Sequence, residues 1–119
     1  NDAQNNPSIR QYGIVDLQND GQSASFTGDN CSDWKGHING ITYAIQGNIL
    51  LNEEILLGIE EGFLNTNGTL DQKLMAALHG GKVPGADTRC MDEGISTLSA
   101  FIRVAKVFDL NSYYMDYIP

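Results

Sequence analysis

"ITYAIQGNILLNEEILLGIEEGFLN", Ile41 to Asn65, contains the change of period on which the fold turns. Its first half, Tyr43 to Leu51, begins and ends apolar, in the manner of a buried strand. In its second half Ile55, Leu56, Ile59 and Phe63 recur at helical spacing. Between them Asn52 can cap a helix, and Glu53 and Glu54 suit the positive end of its dipole. A strand thus runs straight into a helix. One feature disturbs the strand: Gln46, Gly47 and Asn48 interrupt the apolar run. With a side-chain period of two, the amides of Gln46 and Asn48 share one face, opposite Ile45 and Gly47. Two readings stand. Either the strand approaches a pocket or another backbone at Gly47, and the amides project there to hold a peptide or sugar group or line an oxyanion site. Or the amides bond neighbouring loops and the glycine marks a bulge.

Upstream, "YGIVDLQ" and "QSASFTG" flank "NDG", a hairpin signal because glycine accepts the positive φ of a tight turn. On the second arm Ala24 and Phe26 point one way, and Ser23, Ser25 and Thr27 the other. The stretch "GDNCSDWKGHING", Gly28 to Gly40, is dense in turn formers and reads as a loop too irregular for a strand. Downstream, "TLDQKLMAALHGG" predicts a second helix with Thr69 and Gln72 as a capping box. Leu70, Leu74, Ala77 and Leu78 form its buried stripe, and Gly80-Gly81 stops it. After the loop "KVPGADTRCMDEG", residues 96–107 alternate as a strand, and "SYYMDYI", Ser112 to Ile118, reads as its partner. The order is strand-strand-strand-helix-helix-strand-strand, which predicts an α+β domain with helices segregated onto one face of antiparallel sheet.

The chain has 119 residues, 41% of them hydrophobic and 18% charged, which suits a single globular domain over 1–119. No apolar run approaches the roughly 20 residues of a membrane-spanning helix, so no membrane insertion is expected. Fifteen acidic against seven basic residues give a net charge of −8, and the basic residues form no cluster. Phosphate backbones would be repelled, so nucleic acid is not an expected partner. The start lacks the basic region and apolar core of a signal peptide. Both ends read as cut, which leaves strand edges uncovered. The expected partner is therefore the remainder of the same polypeptide or another subunit, in a homo- or hetero-oligomer. Cys31 and Cys90 fit no metal-ligand spacing, and no cofactor is called for. The two cysteines read either as a disulfide of an exported protein or as unrelated buried thiols. Abundant Asn, Gly, Ser and Thr favour export, to an extracellular or periplasmic (cell-envelope) location.

Five blocks in matching order resemble one family: "YGIVDLQNDGQSASFTG", "CSDWKGH", "YAIQGNIL", "LMAAL" and "PGADTRC" followed by "STLSAFIRV". Together they are similar to the bacterial domain of unknown function 1028 family, assigned to the N-terminal-nucleophile (Ntn) hydrolases, over about Gln11 to Tyr117. The resemblance implies an αββα sandwich, two antiparallel sheets face to face with helices outside. It also implies amide-bond hydrolysis as the ancestral chemistry. In such enzymes the first residue of a strand is the nucleophile and its own amino group the base. Asn1 is neither Ser, Thr nor Cys, and in that family a further segment precedes the first strand found here. The implied chain is therefore the C-terminal portion of such a domain, with any nucleophile outside it. The alternative is a catalytically silent binding or structural module of an extracellular or envelope assembly.

The same resemblance points to the site. "GADTR", Gly85 to Arg89, matches the family's Gly-Gly-Asp-x-Arg block with Ala86 replacing a glycine. Asp87 and Arg89 can pair and orient a ligand carboxylate or amide, or Asp87 can form an Asx turn that Arg89 braces. Where this chain has Cys90 the family usually has a glycine, which favours a lineage-specific Cys31–Cys90 bridge over two unrelated thiols without deciding between them. Gln46, Asn48, Asp87 and Arg89 are thus the expected pocket border. His37 joins them as an acid/base group or as a structural hydrogen-bonding residue. Asp16, Asn19 and Asp20 lack the remaining ligands of a calcium loop and read as a turn. His79 at a helix end complements the dipole and is assigned no chemistry.

Overall fold

The computed structural model describes residues 6–106, 108 and 109. Gln11–Asp16 (β1) and Gln22–Thr27 (β2) pair antiparallel, from Gln11 opposite Thr27 to Asp16 opposite Gln22. The expected turn joins them. Asp20 and Gly21 carry φ of 68° and 98°, and Asp16 Oδ1 accepts the Gln18 N–H at 3.1 Å. That carboxylate holds the turn, as an Asx residue does.

Gly36–Asn39 (β3) and Ala44–Gly47 (β4) form the second antiparallel pair, with Gly36 opposite Gly47 and His37 opposite Gln46. The last part of the stretch expected to be loop, Gly36–Asn39, is therefore a strand. Local turn propensity yields there to a partner that the next segment supplies.

The two hairpins stack, β1 over β4 and β2 over β3. The face of β2 turned inward is its polar one. Ser23 donates to the Gly40 carbonyl, Ser25 Oγ to Asn39 Oδ1 at 2.6 Å, and Thr27 Oγ1 lies 2.9 Å from His37 Nδ1. Short hydroxyl side chains let the sheets approach closely. The apolar face, with Tyr12, Ile14 and Phe26, is exposed among the described residues, Ile14 to 67%.

Glu54–Asn65 (α1) and Leu70–Gly80 (α2) pack against each other, and α1 lies on β4. Asn52 Oδ1 accepts the Glu54 N–H at 3.1 Å, as its capping role requires. The capping box is formed, the Thr69 N–H reaching Gln72 Oε1 at 3.0 Å. Ile55 and Leu56 are buried, but of the stripe expected on α2 only Ala77 is; Leu70 and Leu78 are exposed. The layers run sheet, sheet, helix. This is α+β, with two small antiparallel sheets and two helices.

Of the strand expected over 96–107, the described part is not formed: residues 97–106 have no ladder partner among the described residues. Alternation makes two faces, but a strand also needs a neighbouring backbone. Among the described residues this run shares cavity linings with β4 but no ladder. The expected partner strand, Ser112 to Ile118, lies outside the described residues. The Cys31–Cys90 bridge is absent as well, both cysteines being buried free thiols. Cys31 Sγ lies 3.5 Å from the Arg10 carbonyl, to which it donates, while Cys90 ends the turn Thr88–Cys90 in a different loop.

Candidate functional site

The interruption at Gln46-Gly47-Asn48 marks where the strand changes register. Gly36 pairs with Gly47, whereas Trp34 exchanges both hydrogen bonds with Leu50. Lys35 therefore stands opposite two residues, Asn48 and Ile49, which is a β-bulge. Ile49 carries it at a φ of 59°, a left-handed conformation unusual for a β-branched residue. Beyond the bulge the chain is re-aimed, so that Leu50 bridges Asp87.

Both amides turn toward the first sheet, as the two-residue period requires. Gln46 lies over Gly13, occupying the space a Cβ there would need. Asn48 Nδ2 donates to Gln11 Oε1 at 2.7 Å. Gln11 in turn ties the two hairpins together. Its Nε2 lies 2.9 Å from the Gly47 carbonyl, 3.0 Å from Thr27 Oγ1 and 3.3 Å from the Gly36 carbonyl. Thr27 then contacts His37 Nδ1 at 2.9 Å. A hydroxyl hydrogen given to Nδ1 leaves the ring proton on Nε2. His37, Thr27, Gln11 and Asn48 thus form one polar chain between the sheets.

Asp87 and Arg89 combine both arrangements open to them in the sequence. Asp87 Oδ1 accepts the Arg89 backbone N–H at 3.0 Å, an Asx-type cap. The guanidinium also forks onto both oxygens, Nε at 2.9 Å and Nη2 at 2.6 Å. The hydrogen bond from Arg89 holds the Asp87 carboxyl below the usual carboxylate range, and raises the guanidinium in return. Asp87 is largely shielded while Arg89 remains exposed, so the pair presents the arginine outward.

Three open cavities lie along β4 and the 87–103 segment, one of them at the bulge. One of about 470 Å³ is lined by Asn48, Leu50, His79, Lys82, Asp87 and Ser96, among others. A second of about 400 Å³ continues along β4, lined by Tyr43 to Gln46, Phe63, Leu74 and Phe101 to Arg103. A third of about 390 Å³ holds Asp87, Arg89, Cys90 and Glu93. Asn48 and Asp87 therefore meet at one cavity, with Gln46 and Arg89 on its flanks. His37 belongs to the inter-sheet chain and lines none of these three.

Several contributors lay outside the expectation. Gln11 begins β1 and gives no local sign of its role, because its partners come from three other strands. Thr27 could be read from the alternation of β2, once the polar face is known to turn inward. Lys82 and His79 reach the cavity from the end of α2 and the loop after it, and nothing in their spacing signals this. Tyr43 donates to Glu60 Oε1 at 2.5 Å, and that bond raises its phenol above the ordinary value. Among the described residues, no group of three or more His, Cys, Asp and Glu could hold a metal ion.

The model of the Family of unknown function (DUF1028) matches residues 1–117 of the chain. The crystal structure of protein SPO2555 from Silicibacter pomeroyi, of the same family model, is similar at 30% identity and a TM-score of 0.57. The similarity covers 62% of this chain and 33% of that one. The match thus spans about a third of that relative. No curated protein matches the chain.

Proposed function

The chain belongs to the DUF1028 family, and on that footing we propose that it is part of an αββα, Ntn-hydrolase-like domain that hydrolyses amide bonds. The observation that carries the reading is the meeting of Asn48 and Asp87 at one cavity, with Arg89 fixing the carboxylate. The nucleophile comes from polypeptide outside this chain. One Asn48 amide hydrogen is committed to Gln11, and the other, with its carbonyl, can meet a substrate amide. Arg89 braces that wall. Lys82 on the same cavity favours an amide that also bears a carboxylate, such as an N-acyl amino acid or a peptide end. Location outside the cytoplasm belongs to the same proposal. With both thiols free it rests on composition alone.

The second reading is a silent binding module, and one observation favours it. The functional groups of Asn48 and Asp87 already bond to Gln11 and Arg89, as they would in a structural brace. Kinetics on the complete gene product separates the two. Hydrolysis of N-acyl amino acids is expected, with Lys82→Gln raising KM about tenfold for them, the loss of roughly 1.4 kcal/mol, and leaving uncharged amide analogues unaffected. Calorimetric binding of the same compounds without any turnover would establish the silent module instead.

A further inference from the structure

Two Asn-Gly pairs occur in the chain, Asn39-Gly40 and Asn67-Gly68. In such a pair the glycine nitrogen can attack the asparagine side-chain carbonyl carbon, because no Cβ on the glycine shields the approach. The reaction needs two freedoms. The asparagine side chain must turn back over its own peptide, and the glycine N–H must not be bonded elsewhere. As sequence the two pairs are alike, each lying between β-branched residues. The fold separates them.

Asn39 ends β3, opposite Ala44. Its Oδ1 receives the Ser25 hydroxyl at 2.6 Å, and the Gly40 N–H bonds the Tyr43 carbonyl at 3.0 Å. Both freedoms are taken, so reaction there requires the end of the second hairpin to open first. Asn67 is exposed, in the short link between α1 and α2. On one side of it the Thr66 hydroxyl turns back to the Gly62 carbonyl at 2.8 Å, finishing α1. On the other the Thr69 N–H bonds Gln72 Oε1 at 3.0 Å, starting α2. Between them, neither the Asn67 side chain nor the Gly68 N–H has a hydrogen-bond partner among the described residues.

We propose that Asn67 is a site of spontaneous deamidation, converted in the folded protein to aspartate and isoaspartate while Asn39 is preserved. The Gly68 nitrogen attacks Asn67 Cγ; the new C–N bond closes a succinimide ring, and the side-chain nitrogen leaves as ammonia. Water then opens the ring at either carbonyl. One opening gives aspartate, the other isoaspartate, in which the main chain runs through the former side chain. One water is taken up and one ammonia released, and no oxidant or cofactor enters the balance. Either product adds a negative charge to a chain already at −8. The charge falls just before the first turn of α2, the positive end of its dipole. Isoaspartate also lengthens by one carbon a link between helices that cross closely, Gly62 against the Ala76 carbonyl. The inference is independent of the proposed hydrolysis and uses none of its residues.

Timed incubation of the folded, complete gene product, then cleavage after glutamate and fragment-ion mass spectrometry, tests it. That cleavage parts the two asparagines, since Glu53, Glu54, Glu60 and Glu61 lie between them. Asn67 is expected to undergo the amide-to-acid mass change at least about tenfold faster than Asn39, the protection of a closed hairpin end. Both aspartate and isoaspartate should be found there. In urea sufficient to unfold the protein the two rates should converge. Asn67→Asp, at an exposed position, should abolish the acidic species that accumulates with time on ion exchange. An Asn67 that stays intact, or an Asn39 that reacts as fast in the folded protein, would overturn the proposal. So would aspartate without isoaspartate, which would mean direct hydrolysis, or a rate ratio unchanged in urea, which would assign the difference to sequence and not to the fold.

Discussion

Asp87 receives Arg89 on both carboxylate oxygens and also accepts its backbone N–H, so its ionised form is the one the loop is built around. The carboxyl is accordingly held below its ordinary value, first by the bond from the Arg89 side chain. A depressed native pKa stabilises the fold above the unfolded value, near 3.9 for Asp, and the contribution is lost as pH falls through the native value. A side-chain NMR titration should find Asp87 titrating below that ordinary value, and Arg89→Gln should move it back up. A wild-type Asp87 that titrates normally would contradict the pairing. The pairing was legible at this scale because Asp-x-Arg places a fork within reach of its carboxylate. The Gln46 and Asn48 faces were legible too, from the period of a strand. Gln11 was not, since its partners Gly36, Gly47 and Asn48 come together only when two hairpins stack.

Helix ends and the first turn could be read from local chemistry. Asn52, Thr69 and Gln72, and Asp20-Gly21 act where the sequence places them. The second strand pair was half missed, because Gly36–Asn39 has turn-like composition and gains its ladder only from β4. The run 96–107 erred in the other direction, since alternation alone does not provide a neighbour. Between the helices the limiting feature is space. A Cβ on Gly62 would meet the backbone carbonyl of Ala76, and one on Gly58 the backbone of Gly80. Gly→Ala within a free helix stabilises by about 1 kcal/mol. At Gly62 the sign should reverse, overpacking costing about 1–3 kcal/mol. Thermal unfolding of Gly62→Ala would show this, and an unchanged or raised Tm would refute the close crossing.

Across the whole molecule the described core is small. Ile55, Leu56, Ala77, Ala86 and the two cysteines are its buried hydrophobic residues. The accessible surface is 9028 Å² for 13.0 kDa, where a closed monomer of that mass exposes about 6,300 Å². Tyr12, Ile14 and Phe26 on the outer sheet face, and Phe101 on the cavity along β4, are exposed large apolar residues. The sequence shows which residues alternate but not which face finds a cover, because that depends on the layers stacked upon it. The central claim is that further polypeptide completes this domain and brings the nucleophile to Asn48 and Asp87. Intact mass spectrometry with N-terminal sequencing of every chain, on protein purified from its source, addresses it most directly. The account predicts additional polypeptide, with one chain beginning in Thr, Ser or Cys. A single polypeptide confined to these residues and starting at Asn1 would contradict it.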